Sequence, residues 1–174
     1  PVLFSKFANA LAAHGEELSV TGVTGTLDYE AELVVVIGKT CRGVPPEEAR
    51  ACCFGYTCGN DLSARDLQFR TSQWLLGKAC DHFAPVGPVV VTAEAINPDD
   101  LDISCKVNGH LRQAGSTGEM LFSPDSLVSY LSRFMTLCPG DLIFTGTPKG
   151  VGQAMPEENR KWLQAGDVVE VAIQ

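Results

Sequence analysis

Two glutamates, Glu30 and Glu32, stand two positions apart where the chain enters the apolar run Leu33-Val34-Val35-Val36-Ile37. A β-branched run of this length, closed by Gly38, reads as a buried strand. Side chains two apart on a strand share a face. Two carboxylates on one face repel, and beside apolar neighbours they stay charged only at a cost. A hard divalent cation removes that cost, because Mg²⁺ and Ca²⁺ take carboxylate oxygens. A solvated strand end removes it as well, so the pair alone leaves both readings open, and Asp28 fits either. A third carboxylate, Asp61, follows the stretch Cys53 to Cys58 at another strand end. As a ligand it completes the set, with Arg65 and Gln68 one turn further on and facing the same cleft; alternatively, Asp61 or Ser63 caps the helical turn that follows. Lys78, after Trp74-Leu75-Leu76-Gly77, either snorkels to solvent or points into a pocket.

The elements that must position these groups are mostly strands. Val86 to Thr92 is entered through Pro85 and interrupted by Gly87-Pro88. Leu101 to Val107 alternates apolar and polar, which leaves one face wet. It runs into Asn108-Gly109, a strong two-residue hairpin signal, with His110 to Gln113 returning. Leu142 to Thr145 and Val168 to Ile173 complete the set. Pro45 to Arg50 opens a short helix with proline and acidic residues in its first turn. A longer helix starts with Ser123 as N-cap and Pro124 at the first position. Its apolar face is Leu127, Val128, Leu131, Phe134 and Met135, and Pro139-Gly140 stops it. Many strands and two short helices predict a mixed α/β, β-rich single domain and not a doubly wound sheet.

Composition bounds the function. The 174 residues amount to about one domain at roughly 150 residues each. Hydrophobic residues at 45% and charged residues at 20% exclude wholesale disorder. No apolar run approaches the roughly 18 residues of a membrane span. A net charge of −8 with no Lys/Arg cluster argues against binding nucleic acid through its backbone. Seven cysteines without a C-x-x-C pair argue against zinc or redox motifs and read as reduced thiols, so a cytoplasmic or mitochondrial-matrix location is expected. Gly38-Lys39-Thr40 lacks the upstream glycine of a phosphate loop, and no G-x-S-x-G elbow is present. The chain opens at Pro1 and closes at Gln174 in mid-strand, so residues 1–174 are expected to be the core of a longer protein, lacking flanks at both ends.

Four motifs together resemble the fumarylacetoacetate hydrolase (FAH) family, and the resemblance covers essentially the whole chain. They are Asp28-Tyr29-Glu30-Ala31-Glu32-Leu33, Asn60-Asp61 through Gln68, Gln73 through Lys78, and Pro139-Gly140-Asp141 with Thr145-Gly146-Thr147-Pro148-Lys149-Gly150-Val151-Gly152. The small single-domain branch is the nearest match: acylpyruvate hydrolases, oxaloacetate decarboxylases and hydroxymuconate-type isomerases. The resemblance implies the family's β-roll with a few short helices, as a homodimer. It implies Glu30, Glu32 and Asp61 as ligands of one Mg²⁺, replaceable by Mn²⁺ or Ca²⁺, and Lys78 as the lysine beside the metal. It implies Arg65, Gln68 and Thr145 as the residues that meet a small 2-oxo acid.

Three carboxylates against one Mg²⁺ leave about −1 overall and open coordination positions. A 2-oxo acid chelates through its carboxylate and oxo oxygens, and the metal then stabilises the enolate formed when a neighbouring bond breaks. Hydrolysis of an acylpyruvate-type C–C bond is the leading expectation. Oxaloacetate decarboxylation and isomerisation of a 2-hydroxy-diene-dioate share the enolate, and an inactive metal- or ligand-binding homologue is the alternative outside enzymes. The family's hydrolases activate water with a His–Glu pair upstream of the segment resembling Pro1 to Lys6. Within this sequence His82 is the candidate acid or base, standing where the family more often has a small hydroxyl residue.

Overall fold

The computed structural model describes residues 1–20 and 22–174. Its centre is β3 (Ala31–Ile37), every residue of which but Val36 is buried. A strand buried on both faces has no polar side to show, which is why the sequence there is an unbroken apolar run after Glu32. β3 pairs antiparallel with β4 (Cys53–Asn60) on one side and β10 (Leu142–Phe144) on the other. β1 (Leu11–Ala13) and β6 (Ala84–Val86), parallel to each other, extend the sheet beyond β4, and β7 (Val91–Thr92) pairs with β4 off that path. Two smaller sheets flank it: β8 (Asp102–Val107) between β9 (His110–Ser116) and β11 (Val169–Ile173), and a short β2 (Leu27–Asp28) against β5 (Ser63–Ala64). Helices are short: α1 (Pro46–Ala49), α2 (Arg65–Gln68), α3 (Leu75–Lys78) and α4 (Pro124–Phe134). The fold is therefore mixed α/β and strand-rich, as the sequence predicts.

The two faces of β3 do different work. Leu33, Val35 and Ile37 join Tyr56, Val128 and Leu131 in the main core, under α4. Tyr29 and Ala31, on the same face, meet Ile103, Cys105 and Val107 of β8. The opposite face carries Glu30, Glu32 and Val34. It is crowded: a Cβ on Gly59 would lie 2.4 Å from Val34 Cγ2 and 2.7 Å from the Phe144 ring, so only glycine lets β4, β3 and β10 lie this close.

Several local expectations are met and three are corrected. Asn108-Gly109 turns β8 into β9, with both residues at positive φ. Ser123 caps α4 by accepting from the Ser126 N–H at 3.2 Å, and Pro124 opens the helix. The run from Val86 to Thr92 is two short strands and not one, separated at the Gly87-Pro88 interruption. Phe134 and Met135 do not face the core. The helix ends at Phe134, and both side chains are exposed, which leaves Leu127, Val128 and Leu131 as the buried face. Neither Asp61 nor Ser63 caps α2: its N-cap is Ala64, and the Ser63 hydroxyl instead donates to the Asp61 carbonyl at 2.9 Å.

Candidate metal centre

Strand alternation and ladder register assemble the centre. Glu32 lies opposite Gly59 and Ala31 opposite Asn60, so Asp61 emerges directly beside Glu30. The Asp61 N–H donates to the Glu30 carbonyl, and the Asn60 side chain accepts from the Glu30 N–H, both at 2.9 Å. β10 stops pairing at Val34, so side chains continue the ladder along β3. Thr145 Oγ donates to the Leu33 carbonyl at 2.8 Å, Thr147 Oγ to the Ala31 carbonyl at 2.9 Å, and Gln113 accepts from the Ala31 N–H at 3.0 Å. Together with the Thr145 N–H, which donates to the same Leu33 carbonyl at 3.2 Å, these bonds satisfy the buried backbone beyond the β10 ladder, as buried polar groups require, and they hold the acidic face in place.

Glu30, Glu32 and Asp61 each bring a carboxylate oxygen within 4.8 Å of the others. All three are buried or nearly so. The donor set is hard oxygen only, which suits Mg²⁺, Mn²⁺ or Ca²⁺ rather than metals that favour sulfur or imidazole. Glu32 feels the crowding most. Burial, then the Asp61 and Glu30 charges, push its carboxyl well above the usual carboxylate range, against the pull of the Gly146 N–H, which donates to it at 2.7 Å. A carboxylate in that position is short of positive charge, which a divalent cation could supply.

Two lysines supply part of that charge. Lys78, at the end of α3, is buried, and its Nζ lies 2.7 Å from both Glu30 Oε2 and Asp61 Oδ2. Its ammonium also sits 5.0 Å from the centre of the Phe4 ring. Lys6 reaches Asp61 Oδ1 at 2.6 Å and donates to the Lys78 carbonyl. Burial pushes the Lys6 ammonium below the usual lysine range, and Asp61 only partly offsets this. Sequence reading missed Lys6. It stands in an extended segment with no periodicity, and its one signal is a lone charge inside the apolar run Val2 to Phe7.

The other candidate residues fall in different places. Arg65 and Gln68 are buried and border the same cavity, but Arg65 is committed to Asp28, to Glu30 Oε1 at 2.7 Å and to Gln68 Oε1 at 2.9 Å. Thr145 lines the cavity while donating its hydroxyl to the backbone. His82 does not join the group. It sits at positive φ with its side chain 47% exposed, its Nδ1 3.3 Å from Glu16, and the cavity lining does not include it. The cavity holds about 1160 Å³ and runs from the charged floor to an apolar wall that includes Leu121, Phe122 and Met135.

Known proteins resemble this chain in sequence and in fold. An oxaloacetate tautomerase of Bacillus subtilis is 44% identical over 175 residues, covering 99% of this chain and 58% of its own. The structure of a fumarylacetoacetate hydrolase from Exiguobacterium antarcticum superimposes with a TM-score of 0.95 at 44% identity, covering 99% of this chain and 62% of that one. The structure of a fumarylpyruvate hydrolase from Pseudomonas aeruginosa, in complex with Mn²⁺ and pyruvate, gives a TM-score of 0.87 at 39% identity, covering 98% of this chain and 72% of that one. The chain spans 56–60% of the length of its curated relatives from Dictyostelium discoideum, Homo sapiens and Bacillus subtilis. All of residues 1–174 match the model of the fumarylacetoacetate (FAA) hydrolase C-terminal domain, and the chain belongs to that family of enzymes.

Proposed function

We propose that this domain is the catalytic part of a divalent-metal-dependent enzyme that moves a proton on a small 2-oxo acid, with keto–enol isomerisation of an oxaloacetate-like diacid as its reaction. The observation that carries this reading is the juxtaposition of three carboxylates, buried or nearly so, with the buried Lys78 and partly buried Lys6 ammonium groups in one cavity. A hard cation bound by Glu30, Glu32 and Asp61 would supply Lewis acidity to the two oxygens of a chelating 2-oxo acid.

The chain's own groups account for the rest. Lys78 Nζ sits between two of the ligand carboxylates, holding them together and placing positive charge where an enolate oxygen develops. Lys6 Nζ, which lines the cavity and reaches Asp61 Oδ1 at 2.6 Å, is assigned as the proton carrier: in its neutral form it would take a proton from the substrate oxygen, and as the ammonium it would return one to the carbon at the other end of the O–C–C unit. One proton leaves oxygen and one arrives at carbon, and no other reactant is consumed. Phe4, 5.6 Å from Trp74 between ring centres, presents its ring face to the Lys78 ammonium at 5.0 Å.

Hydrolysis of an acylpyruvate-type C–C bond is the second reading, favoured by the size of the cavity. About 1160 Å³ with an apolar wall exceeds what a four-carbon diacid fills and leaves room for an acyl group. Pairing into a homodimer is supported by the same wall. Leu121 is 93% exposed, Phe122 and Met135 in the same lining are exposed as well, and a second copy would cover them.

The test is a comparison of metal-stripped protein with protein given Mg²⁺ or Mn²⁺, following enol loss from oxaloacetate and, separately, cleavage of acylpyruvates. Metal-dependent acceleration of enol loss supports the first reading. Cleavage without it supports the second. No acceleration of either by any divalent cation refutes both.

A further inference from the structure

Asp28 is fully buried and accepts five hydrogen bonds. Its Oδ1 takes the N–H groups of Tyr29 at 3.0 Å and Gly152 at 2.8 Å. Its Oδ2 takes the Gln153 N–H at 2.9 Å and the Nε and Nη2 groups of Arg65 at 2.9 and 2.8 Å. Its contact with the carboxylate cluster is therefore indirect, and it runs along two arms. On the first, the Nη2 that Asp28 holds also reaches Glu30 Oε1 at 2.7 Å. On the second, Asp28 pins one end of the loop 146–153, whose other end gives the Gly146 N–H to Glu32 Oε2. The loop is fitted to this grip: a Cβ on Gly152 would stand 2.9 Å from Asp28 Oδ1.

We propose that Asp28 is a positioning residue for metal binding, fixing Glu30 through Arg65 and Glu32 through the glycine-rich loop. The proposal rests on the metal reading above. Its physical basis is the guanidinium fork. With Asp28 in place, Arg65 spends two donors on Asp28 and leaves one for a single oxygen of Glu30. Without that charge, the same fork is free to take both oxygens of Glu30, the paired geometry arginine favours. Glu30 is then drawn away from the other two ligands. Loss of an outer partner of this kind costs about 10–100-fold in metal affinity.

The experiment is calorimetric titration of the metal-stripped chain with Mn²⁺, using the parent protein, Asp28→Asn, Arg65→Gln, the double variant and Gly152→Ala. Circular dichroism and thermal melting of each metal-free variant are recorded alongside. Asp28→Asn is expected to bind Mn²⁺ about 10–100-fold more weakly while folded. Gly152→Ala, which pushes on the same carboxylate without changing any charge, is expected to weaken binding in the same direction. If part of the Asp28 effect runs through Arg65 and part through the loop, the double variant binds more weakly than Arg65→Gln alone but loses less than the sum of the two single losses.

A folded Asp28→Asn with parental affinity overturns the proposal. So does an unfolded Asp28→Asn beside a Gly152→Ala that binds normally, since Asp28 would then serve the fold alone. Fully additive losses remove the Arg65 arm. Failure of the parent protein to bind Mn²⁺ overturns the metal reading itself, an outcome distinct from all of these.

Discussion

Replacing Lys78 by methionine tests whether the acidic centre is built to hold a cation. The side chain of Lys78 is 2% exposed, and its Nζ lies 2.7 Å from a carboxylate oxygen of Glu30 and of Asp61. Methionine keeps much of the volume and removes the charge. Two buried carboxylates then lose a shared partner, and breaking a buried pair by removing one member costs about 3–5 kcal/mol. For a domain of this size each kcal/mol shifts the melting temperature by about 2–4 °C, so metal-free Lys78→Met should melt about 6–20 °C below the parent. A divalent cation replaces the missing charge. At a concentration 100 times its Kd it adds about 2.7 kcal/mol, enough to recover much of the loss. The assay is thermal unfolding of both proteins, stripped of metal and then titrated with Mg²⁺ or Mn²⁺. Catalysis should stay low in the variant even when its stability returns. Equal melting of the two metal-free proteins, or a variant whose melting temperature metal does not raise, would refute the reasoning.

Glu32→Gln keeps an acceptor for the Gly146 N–H and removes the most strained charge, so the metal-free variant should melt at or above the parent temperature while Mn²⁺ binding disappears from calorimetry. Because Glu32 holds its proton above the usual carboxylate range, Mg²⁺ uptake below that raised value should release a proton, and affinity should rise with pH until Glu32 is ionised; titrations in buffers of different ionisation enthalpy read this directly. The same shift fixes the sign for stability: the folded metal-free protein binds the proton more tightly than the unfolded chain, so stability falls as pH rises from about 4.3 through the raised value. Gly55→Ala would place a Cβ 2.1 Å from the Val91 carbonyl, where backbone must move, and chemical denaturation should report a loss of more than about 2 kcal/mol. Ser123→Ala removes the cap of α4 and should cost about 0.5–2 kcal/mol by the same measurement, without altering metal binding.

The parts of the fold that sequence makes legible are those with a local physical cause. Alternation alone puts Glu30 and Glu32 on one face, and the Ser123-Pro124 pair and the Asn108-Gly109 turn need only their own side chains and backbone. Asp61 is different. It lies 31 positions from Glu30, and what joins them is the register of β3 on β4, which no spacing encodes; its place at a strand end leaves ligand and helix cap both open, and the likeness of whole motifs to a family favours the ligand. Phe134 and Met135 continue the helical spacing, but α4 ends there, so periodicity alone assigned them to a core that Leu127, Val128 and Leu131 already fill. Lys6 and the double grip of Asp28 depend on contacts across the whole chain. A single lysine in an extended segment, or one more aspartate beside two glutamates, carries no local mark of what it will touch.

The central claim is that Glu30, Glu32 and Asp61 bind one hard cation that a 2-oxo acid then shares. The most direct measurement is calorimetric titration of the metal-stripped protein with Mg²⁺, followed by oxalate, a planar mimic of the pyruvate enolate. The account predicts one Mg²⁺ per chain and oxalate binding that occurs only when Mg²⁺ is present. Absence of Mg²⁺ binding, or oxalate binding that is indifferent to it, would contradict the account.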